Sequence, residues 1–272
     1  MEEYRLFEWM IALQGLGILL LVGVLTWLLS LVKRDVSIVD SVWSLFLLAA
    51  VLTYGLAPPP NGPRSLWVYL LIGLWAIRLC VYLTWRNWHQ PEDRRYQEIR
   101  RRNEPHFEIK SLPYIFLSQA VLAWLISLQT LPALKSSQPL GILDYLGIAV
   151  FLFSLGFETL ADWQMARFKS RPENQGQVMD RGLWRYSRHP NYFGEFCLWW
   201  GFYLIALSAG APLWVIVSPL LISLLLLKVS GVPLLEKDIQ ERRPAYRAYR
   251  LRTNAFFPAP PKSLDKTRES SP

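Results

Sequence analysis

The chain has 272 residues, of which 52% are hydrophobic, 14% aromatic and only 18% charged, with a formal net charge of +8 and a mean hydropathy of +0.19. Soluble domains carry about 25% charged residues, so this composition is short of the charge that covers a globular surface. It also excludes disorder, collagen, a coiled coil and a disulfide scaffold. What remains is a polytopic, all-α membrane helix bundle.

Seven apolar segments follow in chain order, at about 10–32, 38–56, 65–84, 114–134, 142–161, 191–209 and 212–230. The first, Met10–Val32, runs 23 residues without a charge, and roughly 20 are enough to cross a bilayer. Its leader, MEEYRLFEW, places two acids before its arginine and no small-residue cleavage site follows. The segment therefore reads as a span and not as a secretory signal. Cys80 and Cys197 lie inside apolar segments and offer neither metal spacing nor a disulfide framework. No metal site is expected.

Counting Lys and Arg between the segments orients them. The leader and the loops near 57–64, 135–141 and 210–211 hold only Arg5, Arg64 and Lys135. The alternate loops hold Lys33 and Arg34, then seven basic residues between Arg86 and Lys110, then six between Arg167 and Arg188, with nine more from Lys237 onward. Basic residues mark the cytoplasmic side, so the N-terminus is expected outside and the C-terminus in the cytoplasm. The net charge is accounted for by this pattern without a nucleic-acid partner. The stretch 86–112 is basic, with Tyr96, Ile99, Phe107 and Ile109 interleaved, and reads as a surface helix on anionic headgroups. From Pro258 the tail is rich in Pro, Ser and Lys, which predicts disorder over 258–272 and a single membrane domain over 1–257.

Ionisable residues inside spans cost a few kcal/mol on insertion scales, so each is a candidate functional residue. Asp40 opens the second span. Arg78 and Tyr82 close the third. Glu158 and Asp162 close the fifth and Glu195 opens the sixth, all toward the cytoplasmic leaflet, as for one polar cavity open on that side. Asp144 lies apart, near the outer end. For Asp40 two readings stand: an ion pair with Arg78, or a part in catalysis. Tyr82 by itself could be an ordinary interfacial aromatic.

The densest pattern is DRGLWRYSRHPNYFGE at 180–195. Pro190 suits the first turn of a helix, and Asn191, Tyr192 and Glu195 then line its opening turns. Arg181, Arg185, Arg188 and His189 come just before it, so bases meet a positive helix end, a setting suited to phosphate or pyrophosphate. Positive-inside arginines at a helix start would explain the charge, but not an Asn and a Glu one turn apart.

This segment resembles the C-terminal signature of the steroid 5-alpha reductase family and its bacterial relatives. Ala161-Asp162-Trp163-Gln164 with Arg167-Phe168-Lys169 resembles the family's preceding helix and basic loop. Glu236 and the stretch YRAYRLRTNAFFP at 246–258 resemble its closing segment. The resemblance is strong over about 150–260 and weak before it, where Arg78-Leu79-Cys80-Val81-Tyr82 is similar to an Arg-x-x-x-Tyr pattern and Asp40 stands near a family Glu. Asp40 is shorter than that Glu, and Glu158 replaces an Asn of some relatives. The resemblance implies a seven-span bundle that holds NADPH and reduces the C=C bond of an enone lipid, steroid-like or isoprenoid. Asp162, Asn191, Tyr192, Glu195 and Glu236 would contact the cofactor. Arg167, Lys169, Arg171, Arg188 and His189 would lie in its phosphate-binding region, while Tyr82 and Asp40 would hydrogen-bond the substrate carbonyl.

Membrane methyltransferases that use S-adenosylmethionine, acting on isoprenylcysteine or phospholipids, share the Arg-His-Pro-x-Tyr core and form the alternative. They typically carry Met after the proline, where this chain has Asn191. No Gly-x-Gly-x-x-Gly follows a strand pattern, so a Rossmann dehydrogenase is excluded. The expected setting is a bacterial inner membrane, or the endoplasmic reticulum of a eukaryote. Reporter fusions after Lys110 and after Arg188 should both behave as cytoplasmic. A signal from the opposite side at either point contradicts this topology.

Overall fold

The structure, a computed structural model, describes residues 2–58, 62–236 and 239–263. Every regular element among them is helical. In chain order the main ones are α1 (Glu2–Lys33), α2 (Ile38–Leu56), α3 (Ser65–Asn87), α4 (Arg94–Asn103), α5 (Phe107–Ser127), α6 (Thr130–Lys135), α7 (Ile142–Lys169), α8 (Pro190–Ser208), α9 (Leu213–Glu236) and α10 (Tyr246–Arg252). Among the described residues six helices are long and apolar enough to cross a membrane: Trp9–Lys33 within α1, and α2, α3, α5, α7 and α9. The remaining expected span, 191–209, is present as the 19-residue α8. Its Asn191, Tyr192 and Glu195, with several Trp and Tyr residues, keep its mean hydropathy below that of the six.

Two boundaries differ from the sequence reading for physical reasons. Helix α5 begins at Phe107, before the expected 114, because Pro113 does not end it. A proline inside a helix lacks the N–H for its ladder bond, and here the chain widens into a π turn at Leu112–Leu117, which absorbs the misfit. The helix then breaks at Leu128 and Gln129 ahead of the short α6. Helix α7 runs to Lys169, two turns beyond the expected 161, which carries Asp162 and Arg167 on regular helix.

Contacts group the chain into two compact units. One is Met1–Ala149 with Trp200–Leu221; the other is Val150–Trp199 with Ile222–Pro272.

In the first unit α2 packs against α1, α3 and α5, with Phe46, Tyr54, Trp75 and Phe116 fully buried. The approach of α1 is close: a Cβ on Gly15 would lie 2.4 Å from the Tyr54 ring. Several polar side chains inside the unit bond to one another or to backbone, as apolar surroundings favour. The Tyr54 hydroxyl meets Ser127 Oγ at 2.8 Å, and Ser44 donates to the Ala76 carbonyl.

Arg64, a base of the loop near 57–64, is only 1% exposed. Its Nε and Nη2 grip the Asp144 carboxylate at 2.8 and 3.1 Å. Its remaining donors reach the carbonyls of Gln138, Pro139 and Ser208. Asp144 also accepts from Ser208 Oγ and the Gly141 N–H, and it stands in the first turn of α7, where the helix dipole favours an anion. Lys135, the other counted loop base, is likewise buried and donates to the Ala57 carbonyl.

In the second unit α7 and α8 cross with no room to spare. A Cβ on Gly194 would come within 2.8 Å of Glu158 Cβ and 3.0 Å of the Ser154 carbonyl. Of the expected disordered tail, 258–263 is tied back by Ala259 N–H to the Tyr186 carbonyl and Lys262 N–H to the Arg252 carbonyl. The rest, 264–272, lies outside the described residues.

Removing one member of a buried, fully hydrogen-bonded ion pair strands the other and costs about 3–5 kcal/mol. Asp144→Ala should therefore lower the thermal unfolding midpoint of the purified protein sharply. Glu98→Gln, at an exposed α4 pair, should change stability by about 0–1 kcal/mol.

Candidate functional site

The motif at 180–195 opens on a tight turn. Gly182 has φ +58°, a left-handed conformation that glycine takes without strain, and a Cβ there would collide with Gln164 of α7. The turn that follows docks on α7: Leu183 N–H donates to Gln164 Oε1 at 2.9 Å and Trp184 Nε1 to the Ala161 carbonyl at 3.0 Å. Helix α8 then starts at Pro190 as the sequence predicts.

Arg188 and His189 sit just before that helix and are buried, 8% and 5% exposed. Both turn to Glu236 at the end of α9. Arg188 Nε and Nη2 donate to the two carboxylate oxygens at 2.7 and 2.9 Å, and Nη1 donates to the carbonyls of Thr253 and Arg250. His189 Nε2 lies 3.0 Å from Glu236 Oε1, and the Tyr246 hydroxyl adds a bond at 3.1 Å. Burial works against the Arg188 charge, but the hydrogen bonds and charge of Glu236 raise its pKa above the usual arginine range.

Three sequence-predicted site residues are thus brought together in a network internal to the chain, with four of the five Arg188 N–H donors engaged. The same network fastens the closing segment. The Ser187 hydroxyl and Arg188 N–H bond to the carbonyls of Phe256 and Asn254, and Phe256 and Phe257 pack edge-on against Phe193 and Phe196.

Behind this network the α7–α8 pair carries three buried acids: Glu158 at 3%, Asp162 at 5% and Glu195 at 8% exposure. Asn191 and Tyr192 are half-buried on the opening turn of α8, and the Tyr192 ring stacks on His189. The basic residues at the end of α7 and just beyond it face outward. Arg167 lies over the Trp163 ring at 5.2 Å. Lys169 and Arg171 line a cleft of about 440 Å³ together with Asn174, Gly176 and Arg243. Arg243 belongs to this cleft although the sequence reading did not single it out, and its Nη1 holds the Gln177 carbonyl.

The first unit holds the other two candidates. Asp40 is half-buried at the start of α2, and each carboxylate oxygen has a partner from α4: the Tyr96 hydroxyl on Oδ1 and Arg95 Nη2 on Oδ2, both at 2.6 Å. The sequence reading assigned Arg95 and Tyr96 to a headgroup-facing surface. The structure turns them inward, with Tyr96 only 7% exposed. The signal was the helix start itself. Asp93 caps α4 by accepting from Arg95 N–H, which fixes the direction of that first turn.

Burial works against ionisation of Asp93, but the hydrogen bonds and charge of Arg95 hold its carboxyl below the usual carboxylate range. Burial, and then the charge of Asp40, push the Tyr96 phenol well above the usual tyrosine range, so it remains a donor. Tyr82, on the last turns of α3, is half-buried. Its ring contacts Trp85 and lies under the Arg86 guanidinium.

No solved structure matches this chain. It is similar to "Uncharacterized protein C594.04c" of Schizosaccharomyces pombe (strain 972 / ATCC 24843), at 27% identity over 272 residues that cover 90% of this chain and 78% of the relative. A family model described as "Protein of unknown function (DUF1295)" matches residues 26–253, which takes in the motif, the acids of α7 and α8, the Glu236 network and Asp40 with its partners. The chain belongs to the DUF1295 family.

Proposed function

We propose that this chain is a membrane-embedded, NADPH-dependent reductase of a C=C bond conjugated to a carbonyl in a steroid-like or isoprenoid lipid. The observation that carries the reading is the pairing, within the second unit, of buried acids on α7 and α8 with a cationic cleft just beyond α7. Buried carboxylates in a membrane helix pair are costly and mark sites of function. The resemblance of 150–260 to the steroid 5-alpha reductase family supplies the chemistry.

The residues present suit such a cofactor. Asp162 and Glu195 are acceptors of the kind that hold ribose hydroxyls, and Asn191 and Tyr192 add amide and phenol groups on the first turn of α8. Lys169 and Arg171, with Arg167 beside them, offer the charge that phosphates need. Arg188, His189 and Glu236 act in this reading by holding the start of α8 in place. When bound, NADPH would supply the hydride for the β carbon of the enone, and a proton from water would complete the α carbon.

Tyr82 provides a phenolic donor for the substrate carbonyl oxygen, where negative charge gathers in the transition state. A donor aimed at that atom stabilises the transition state more than the ground state. Asp40 already accepts from Tyr96 and Arg95. Its role here is therefore that of an acceptor that orients the donors around it.

Titration of the purified protein under anaerobic conditions, with NADPH and separately with S-adenosylmethionine, tests the reading. NADPH should bind more tightly than NADH. Asn191→Ala and Glu195→Ala should each weaken NADPH binding by about tenfold, roughly the 1.4 kcal/mol of one hydrogen bond to a charged or polar partner, with the fold retained. Tight S-adenosylmethionine binding that NADPH does not displace would overturn the proposal in favour of methyl transfer. With an enone substrate in hand, Tyr82→Phe should lower turnover by about 10²–10³ while cofactor affinity and thermal stability stay near wild type. Turnover within a few-fold of wild type would remove Tyr82 from the mechanism.

A further inference from the structure

The second unit carries another cleft, of about 360 Å³, away from the Lys169–Arg171 cleft and independent of the reductase reading. It is lined by Asp180, Arg181, Gly182 and Arg185 of the motif turn, by Tyr249, Arg252 and Thr253 at the end of α10, and by Pro261. Its two walls are far apart in sequence but firmly joined. The Tyr249 hydroxyl donates to the Trp184 carbonyl, Arg188 N–H to Asn254, and Lys262 N–H to Arg252.

Three arginines, Arg181, Arg185 and Arg252, and one aspartate, Asp180, line the cleft. Arg181 and Arg185 have no ion-pair partner among the described residues. Among the described residues Asp180 pairs only with Arg252, loosely, with Oδ2 3.6 Å from Nη2. The Nε–H of Arg252 is shielded from solvent and donates to no group of the chain among the described residues, an arrangement that is costly unless a ligand completes it. A helix end normally presents bare carbonyls that repel anions. At the end of α10 those of Arg250 and Thr253 are taken by Arg188 and that of Arg252 by Lys262. The cleft therefore presents donors and net positive charge from a preformed frame.

We propose that this cleft is a binding site for a phosphate group, held by Arg181, Arg185 and Arg252. Planar guanidiniums match phosphate oxygens two at a time, and three of them suit a dianionic phosphomonoester or a diphosphate. That chemistry is found both in a soluble phosphate compound and in the headgroup of an acidic phospholipid.

The test is equilibrium binding of radiolabelled inorganic pyrophosphate to the full chain in phosphatidylcholine nanodiscs. Saturable binding is expected, falling with added salt and weakened at least tenfold by Arg185→Gln and by Arg252→Gln. Asp180→Asn removes the one carboxylate and should tighten binding by a few-fold, a gain that a misfolded variant cannot give. Absence of saturable binding overturns the proposal. So does binding within twofold of wild type in both arginine variants, or a loss of binding in Asp180→Asn. Competition by phosphatidic acid built into the nanodiscs identifies a lipid headgroup as the source of the phosphate, and its failure to compete identifies a soluble one. NADPH binding, measured on the same variants, reads out separately: its absence sinks the reductase proposal while pyrophosphate binding still stands or falls alone.

Discussion

The carboxylate of Glu236 holds the second unit together. It closes α9, the end of a helix where an anion faces like-signed carbonyl dipoles and is disfavoured. The chain offsets that with four hydrogen bonds, two from Arg188 and one each from His189 and Tyr246. The donors come from 10 to 48 residues away, so one buried group fastens the motif before α8, the end of α9 and α10 into a single piece. Away from bulk water an ion pair of this kind tolerates the loss of neither partner. The direction of α8, and with it the placement of Asn191 and Glu195, follows from that requirement.

How much of this was legible in the sequence depends on the range of the interaction concerned. Span positions are set by local hydrophobicity, and α2, α3 and α7 begin where the apolar runs predict. Pro113 misled because its cost is local, whereas its relief, a π turn, is a choice of the whole helix. Arg64 and Lys135 were read as loop charges because their acceptors lie 78 to 80 residues away, and no spacing rule reaches so far. The start of α8 at Pro190 was readable, since proline at a first helical turn is a backbone effect.

The site divides in the same way. Among the residues singled out by type, Arg188, His189 and Glu236 meet in one network, and Glu158, Asp162 and Glu195 are buried on one helix pair. Composition could not give the direction in which each side chain turns. Arg188 faces a carboxylate of its own chain, while Lys169 and Arg171 face outward. For Asp40 the sequence weighed a partner on a neighbouring span, and the structure supplies Arg95 and Tyr96 from the loop helix α4. That helix looked amphipathic and superficial because arginines dominate it. Its first turn is nonetheless an internal wall, since Asp93 caps it and Asp40 receives it.

The Arg64–Asp144 clamp has a consequence for how the chain is made. Synthesis proceeds from the N-terminus at about 5–20 residues per second, and Asp144 follows Arg64 by 80 residues. For about 4–16 s on that scale the ribosome has delivered the guanidinium but not its counterion, and the Ser208 carbonyl arrives later still. A lone guanidinium cannot enter the hydrocarbon at low cost, so during that interval it must stay among headgroups and water. The Arg64–Asp144 clamp, which ties the start of α3 to the start of α7, is thus a contact that forms only once α7 has been made.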